Sequence, residues 1–166
     1  MEKIVNLSME KISPIIAQCV ESGSEVILTV TGNSMRPFLV DKRDQVVLIK
    51  ADVEALKEGD VPLYQRRNGK YVLHRMVKKE NGCYTMLGDA QVDFEKGIMP
   101  DQIIAVAKAF IRKGKRYECD SAAYCRYVKF WKVMLPLRKI YFFAKRVFFA
   151  VLRRVKKLIK KIFPFI

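Results

Sequence analysis

The sequence contains one serine in a setting that suits a nucleophile. Ser34 lies in the run Gly-Asn-Ser-Met-Arg-Pro at residues 32–37, directly after a β-branched segment. Gly32 can adopt backbone conformations that other residues avoid, and Pro37 restricts its own φ, so we expect Ser34 on a tight, fixed bend. Such a serine can attack a carbonyl group when a base removes its proton. A turn serine that bonds its own backbone is the more common alternative.

His74 is the only histidine among the 166 residues and is therefore the first candidate for that base. It stands within residues 71–78, whose composition is typical of a β-strand. Imidazole titrates near neutral pH, so it can accept the proton of Ser34 and later return it to a leaving group. The alternative for a single histidine is a structural role, unless the sheet brings it to Ser34.

Three carboxylates follow close together within residues 88–95. One of them could orient the imidazole and stabilise its protonated form, which is the third role in a catalytic triad. We predict Asp93 for this role, with Glu95 and Asp89 as alternatives. A solvated loop is the ordinary explanation for any single one of the three.

The sequence predicts neither a metal site nor a cofactor. The four cysteines form no C-x-x-C pair, and one histidine does not complete a zinc site with them. We interpret Cys19, Cys83, Cys119 and Cys125 as reduced thiols of a cytosolic protein, with a Cys119–Cys125 disulfide as the alternative.

Short β-branched or apolar runs surround these residues and predict the elements that must position them. Strands are predicted at residues 25–31, 44–50, 61–65, 71–78, 83–87 and 102–112, with tight hairpins at Asn68-Gly69 and Asn81-Gly82. Strands this short favour a mainly β (α+β) domain built as a small barrel or coiled sheet. Apolar residues at three- and four-residue spacings over 2–21 predict an N-terminal amphipathic helix that packs on this domain. We therefore divide the chain into 1–23, 24–120 and 121–166.

The last of these segments carries nearly all of the net charge. Residues 121–166 contain 13 Lys or Arg and no Asp or Glu, which leaves the first 120 residues with only +2 of the total of +15. Pro136 is expected to divide the helix predicted here. Five cations recur at intervals of seven and form one stripe along it: Lys132, Lys139, Arg146, Arg153 and Lys160.

A basic helix with many aromatic residues is typical of a helix in the interface of an anionic membrane. No stretch of eighteen uncharged apolar residues is present, and charges such as Arg138 and Lys145 disfavour a spanning helix. We therefore predict a peripheral protein on the cytoplasmic face of the membrane. One alternative is a solvated helix that packs on its own domain. Nucleic acid is a disfavoured partner because no nucleic-acid motif accompanies the cations.

Four short motifs occur in a recognisable order: Gly-x-Ser-Met-x-Pro at 32–37, Gly-Asp-Val at 59–61, His-Arg at 74–75 and Gly-Asp-Ala at 88–90. Over residues 25–113 the chain resembles the signal peptidase I superfamily of serine endopeptidases, which includes the self-cleaving SOS-type repressors. The resemblance implies a coiled β-sheet peptidase domain with Ser34 as nucleophile. The His-Arg pair is similar to the endoplasmic-reticulum, archaeal and sporulation-type members, in which histidine replaces lysine as the base.

The resemblance also bears on the other site residues. The supporting acid of those members falls by count on Glu95, with Asp93 two residues earlier. Signal peptidases often carry a serine two residues before the nucleophile, whereas this chain has Gly32, as the repressors do. The oxyanion of the reaction would then be bound by the backbone N–H groups of Ser34 and Met35.

These patterns lead to one principal hypothesis and two alternatives. The chain is predicted to be a serine endopeptidase that cleaves a leader peptide or a membrane-proximal segment with a Ser34–His74 dyad. The first alternative is an inactive peptide-binding or scaffolding module of the same fold. The second is a repressor-like regulator whose basic tail contacts nucleic acid. The sequence predicts neither the cleavage rule nor the oligomeric state.

Overall fold

The computed structural model describes residues 8–162, and their side chains except those of Phe142 and residues 155–162. The described chain has an α+β fold, and a single 3-10 turn at Pro100–Gln102 precedes its longest strand. In chain order the helices and strands are α1 (Met9–Glu21), β1 (Val26–Thr29), β2 (Gln45–Ile49), β3 (Pro62–Gln65), β4 (Tyr71–Leu73), β5 (Arg75–Glu80), β6 (Cys83–Leu87), β7 (Glu95–Ile98), β8 (Ile103–Arg112), β9 (Lys115–Glu118) and α2 (Ala122–Ile162).

The strands form two antiparallel sheets. The larger sheet has the order β1-β2-β8-β3-β4, with β9 paired to β8, and the smaller sheet has the order β5-β6-β7. The larger sheet curls into a half-barrel, so that its two outer strands contribute Leu28 and Tyr71 to the wall of one cavity. The curled antiparallel sheets agree with the predicted small, mainly β domain.

Irregular pairing along the central strand β8 accounts for this curl. Strand β2 shifts register against β8 between Val47 and Leu48. Strand β3, on the other side, also shifts register against β8, between Leu63 and Tyr64. Because an extra residue in one strand bends it and increases its twist, irregularities on both sides of β8 turn the outer strands toward each other.

Two clusters of buried apolar side chains form the core. The larger cluster joins the six-stranded sheet to α1 and to the first turns of α2, and it includes Val20, Phe38, Leu39, Phe110 and Tyr124. The smaller cluster joins the two sheets and includes Tyr64, Met76, Tyr84, Met86 and Ile103. The apolar cores fix the position at which one sheet meets the other.

Helix α1 packs on the domain as its periodicity predicts. Ile16 and Val20 are buried against the larger sheet. The Ser13 hydroxyl donates a hydrogen bond of 2.7 Å to the Tyr71 hydroxyl on the edge strand β4. Residues 2–7 of the predicted helix lie outside the described residues.

Both predicted hairpins are confirmed, since β3 pairs with β4 and β5 pairs with β6. The prediction of one continuous strand over residues 71–78 is wrong. The chain leaves the larger sheet after Leu73 and enters the smaller sheet at Arg75, so His74 belongs to neither strand. The sequence on either side of His74 has the local pattern of a strand, and only the packing of the two sheets divides it into β4 and β5.

Helix α2 runs without interruption through Pro136, so the predicted division at this residue is wrong. Proline removes one backbone N–H donor from a helix, and the neighbouring turns of α2 continue on either side of it. No helix among the described residues has an apolar stretch long enough to cross a bilayer. The chain divides into two compact units, Met1–Val128 and Lys129–Ile166, so the first turns of α2 belong to the first unit.

Candidate active site

The turn that carries Ser34 is anchored on both sides. Gly32 has φ +91°, a left-handed conformation that favours glycine, and its N–H donates a hydrogen bond of 2.7 Å to Asp41 Oδ1. Beyond the serine, Met35 and Leu39 are buried, and the Leu39 N–H donates to the Met35 carbonyl at 2.9 Å. Ser34 is thus held half-buried on a fixed bend, as its sequence context predicts.

His74 lies at the junction of the two sheets and is only 1% exposed. The preceding residue, Leu73, ends β4 in the larger sheet, and the following residue, Arg75, begins β5 in the smaller one. Because the chain changes sheet here, the imidazole lies between the sheets and lines the same cavity as Ser34.

Glu95 is the carboxylate that contacts the imidazole. It is the first residue of β7 and pairs with Met86 of β6, which places it at the end of the smaller sheet where His74 enters. Glu95 Oε1 lies 3.1 Å from His74 Nδ1. Asp93 is exposed and makes no hydrogen bond within the described residues. Of the three predicted carboxylates, the structure therefore brings Glu95 to His74, and Asp93 remains at the surface.

Two residues that sequence reasoning missed hold this carboxylate in place. The Tyr64 hydroxyl donates to Glu95 Oε2 at 2.9 Å and lies 3.3 Å from His74 Nδ1. Arg66 Nε donates to Glu95 Oε2 at 2.8 Å, and Arg66 Nη2 contacts Oε1. The only sequence signal for the pair is that Tyr64 and Arg66 are two residues apart at the end of a strand, so they share one face.

The contacts of His74 assign its tautomer. Nδ1 faces the Glu95 carboxylate, which only accepts hydrogen bonds when ionised, so the proton of the neutral ring belongs on Nδ1. Nε2 then carries the lone pair, and it has no hydrogen-bond partner among the described residues. Nε2 faces Gly88, which also lies beside the backbone of Ser34.

Gly88 allows this close approach. A Cβ atom built on Gly88 would lie 2.7 Å from the Ser34 carbonyl oxygen and 3.0 Å from His74 Nε2. The Ala90 N–H donates a hydrogen bond of 2.8 Å to the same Ser34 carbonyl. The Gly-Asp-Ala segment therefore lies between the serine turn and the histidine, and a larger residue at position 88 would push them apart.

Asp89 is a buried residue that joins neighbouring elements of the fold rather than a residue of the cavity. It forms a fully buried pair with Arg75, with Nε–Oδ1 at 2.9 Å and Nη2–Oδ2 at 2.7 Å, and both side chains are 0% exposed. The Tyr127 hydroxyl donates to Asp89 Oδ2 at 2.9 Å, and Arg75 Nη1 donates to the Tyr124 hydroxyl at 2.7 Å. The first turns of α2 are thereby bonded to the loop that separates Ser34 from His74.

A cavity of about 200 Å³ opens onto Ser34 and His74. Among the described side chains and backbone the Ser34 hydroxyl makes no hydrogen bond, so it is not bonded to His74 in this structure. Hydrogen bonds of this kind are often long in free enzymes and shorten when a substrate binds. The backbone N–H groups of Ser34 and Met35 donate no hydrogen bond within the described chain, so both remain available to an oxyanion.

Burial determines the charge state of the pair. Burial lowers the pKa of His74 to about 4, although the nearby Glu95 carboxylate acts in the opposite direction. Burial alone would raise the pKa of Glu95, but the hydrogen bonds from Arg66 and Tyr64 outweigh it and keep that pKa below its ordinary value. At neutral pH the site therefore holds a neutral imidazole beside an ionised carboxylate.

The described residues contain no group of three or more His, Cys, Asp or Glu side chains that could hold a metal ion. All four cysteines are free thiols. Burial raises the pKa of the Cys119 thiol to about 12, so this thiol is protonated at neutral pH. Among the described residues, neither a metal-binding cluster nor a cysteine thiol therefore adds a reactive group to the cavity beside Ser34.

Comparisons of the chain with protein-family models, with curated proteins and with solved structures give no significant match.

Proposed function

We propose that this protein is a serine endopeptidase of the signal peptidase-like type, in which Ser34 is the nucleophile, His74 the general base and Glu95 the residue that orients the base. One observation carries the proposal: His74 is bound at Nδ1 by a carboxylate and directs an unbonded Nε2 toward the serine turn. The order of the four sequence motifs from Gly32 to Ala90 supports the same assignment.

In the first half of the proposed reaction, Ser34 Oγ attacks the carbonyl carbon of a peptide bond while His74 Nε2 takes the hydroxyl proton. The carbonyl electrons move to oxygen, and this oxyanion accepts hydrogen bonds from the N–H groups of Ser34 and Met35. When the intermediate collapses, the C–N bond breaks and His74 gives its proton to the leaving amine. The product is an ester on Ser34.

In the second half, water attacks this ester and His74 Nε2 accepts a proton from the water. Collapse of the second intermediate breaks the bond to Ser34 Oγ, which takes the proton back from His74 and leaves a free carboxylic acid on the peptide. Glu95 stabilises the protonated imidazole in both halves through its bond to Nδ1.

The edges of the larger sheet favour an extended peptide as substrate. Within the described residues β1 pairs only with β2 and β4 only with β3, so each has one free edge. Val30 and Thr31, next to β1, and Tyr71 to Leu73 of β4 line the cavity with Ser34. Backbone groups on such edges can pair with an extended chain, and the small cavity favours small side chains beside the cleaved bond. A leader peptide or a membrane-proximal segment meets these requirements.

Alanine substitution in the full-length protein tests the proposal. Ser34→Ala and His74→Ala should each lower the rate of cleavage of a peptide library by at least about 10³-fold, because each removes a group that forms or breaks a bond. Only Ser34→Ala should abolish covalent labelling by a serine-directed acylating probe outright. Ser24→Ala, at an exposed serine, is the matched control and should behave as the wild type.

Retention of cleavage in either site variant would refute the mechanism. A folded wild-type protein that neither labels at Ser34 nor cleaves any peptide, yet binds peptides in the same cavity, would instead identify it as an inactive peptide-binding module.

A further inference from the structure

Helix α2 presents a continuous apolar stripe to solvent. The side chains of the stripe are between 51% and 68% exposed: Phe130, Val133, Leu137, Ile140, Phe148 and Val151. Spacings of three, four and eight residues place them on one face within an arc of about 100°. An apolar face of this length is unusual on a protein surface unless something covers it.

Cations lie on the opposite face of the same helix. Lys132, Lys139, Arg146 and Arg153 recur every seven residues and are exposed. At about 100° per residue they fall roughly opposite the apolar stripe. Lys160, the fifth cation of the predicted stripe, has a side chain outside the described residues. The segment from residue 121 onward contains no acidic residue.

The combination of the two faces distinguishes among possible partners. A second copy of the chain could cover the apolar stripe, but it would bring two segments of charge +13 together. Nucleic acid would attract the cations and leave the apolar stripe in water. The interface of an anionic bilayer accepts both faces, because acyl chains cover the stripe while headgroups attract the cations.

We infer that α2 binds an anionic membrane, lying in the plane of the bilayer interface with its apolar stripe toward the acyl chains. From Phe130 to Val151 the stripe extends about 30 Å along the surface. The cytoplasmic leaflet, which carries most anionic lipid, is the surface that fits these charges. The inference does not depend on the proposed peptidase activity.

Vesicle flotation with the full-length protein tests this inference. The wild type should float with vesicles of phosphatidylcholine and phosphatidylglycerol, and much less with phosphatidylcholine alone. Replacing Lys132, Lys139, Arg146 and Arg153 together by Gln should lower the partition constant by roughly 600-fold, at about fivefold for each cation. The matched control replaces four exposed lysines outside α2, at positions 11, 57, 78 and 115, and should bind nearly as the wild type.

The apolar stripe requires its own measurement. Ile140→Ser with Phe148→Ser should abolish flotation even though every cation remains. Phe148→Trp places a fluorophore on the stripe, whereas Arg153→Trp places one on the opposite face. After subtraction of the emission of the native Trp131, anionic vesicles should shift the emission of Phe148→Trp to the blue and shift that of Arg153→Trp less.

Three results would overturn the inference. Flotation that is equal with and without anionic lipid would exclude an interfacial basic helix. Equal blue shifts at positions 148 and 153 would exclude the proposed orientation. Failure to bind vesicles would be the third result, and two measurements would then identify another partner. One is binding to a labelled RNA or DNA oligonucleotide at physiological salt. The other is a dimer in light scattering whose formation requires the stripe.

Discussion

At the scale of single residues, the two nitrogens of His74 have different surroundings. Nδ1 is within reach of Glu95 and Tyr64, whereas Nε2 lies beside Gly88 without a hydrogen bond in the described chain. This asymmetry favours one tautomer and directs the basic nitrogen to the serine turn. Arg66 contributes indirectly, because it fixes the carboxylate that fixes the ring.

The assignment of the carboxylate can be tested by two matched substitutions. Glu95→Gln keeps the size of the side chain but removes the charge that stabilises protonated His74, so kcat should fall by about 10²- to 10⁴-fold. Asp93→Asn removes a charge from an exposed side chain and should leave kcat within about twofold of the wild type. A larger loss in Asp93→Asn than in Glu95→Gln, measured on one peptide substrate, would restore Asp93 as the supporting acid.

At the scale of elements, the site depends on a chain that changes sheet. His74 separates β4 from β5, and Glu95 begins β7, so both residues lie where strands start or end. The strands on either side of these positions fix the backbone from which the two side chains extend. The loop after β6 completes the arrangement, because the Ala90 N–H donates to the Ser34 carbonyl and Gly88 leaves no room for a Cβ atom beside it.

Gly88→Ala tests the close packing of these elements. The added Cβ would lie within 3.0 Å of Ser34 and His74, so the serine and the imidazole should separate and kcat should fall by on the order of 10²-fold. Gly114→Ala is the control, since its Cβ would meet nothing within 4 Å although φ is +76°. It should lower the free energy of unfolding by about 1 kcal/mol and leave kcat unchanged. Wild-type kcat in folded Gly88→Ala would contradict the packing that we describe.

At the scale of the whole molecule, the candidate site and most of the net charge lie in different parts of the chain. The first 120 residues carry a net charge of only +2 and hold Ser34 and His74, whereas the remainder carries +13. Tyr124 and Tyr127, in the first turns of α2, bond to the buried Arg75–Asp89 pair. The helix that we propose to bind the membrane thus begins inside the unit that holds the candidate site.

Global stability should depend on pH through His74. Its pKa is about 4 in the folded protein against 6.5 as the ordinary value, so between these values the unfolded chain binds a proton that the folded chain does not. The free energy of unfolding should therefore fall as the pH decreases, by about 2 kcal/mol between about pH 7 and about pH 5. Urea titrations followed by circular dichroism measure this change. His74→Gln should remove most of it, and an unchanged pH dependence in this variant would refute the explanation.

Several features of the protein follow from the sequence alone, because local physics determines them. The bend at Ser34 was predicted from the conformational freedom of Gly32 and the restricted φ of Pro37, both within a few positions of the serine. The hairpins depend on Asn-Gly turns, and α1 depends on its apolar periodicity. Each of these was predicted, since the interactions that decide them lie close together in the chain.

The tertiary structure alone decided how the site is assembled. Glu95 was one of three candidate carboxylates within residues 88–95, and only the pairing of β7 with β6 brings it to His74. Tyr64 and Arg66 were not predicted, because their contact with Glu95 spans about 30 positions of the chain. The break at His74 and the need for glycine at position 88 likewise depend on where two sheets meet. Contacts between distant segments are set by sheet pairing and core packing, which residue spacing does not encode.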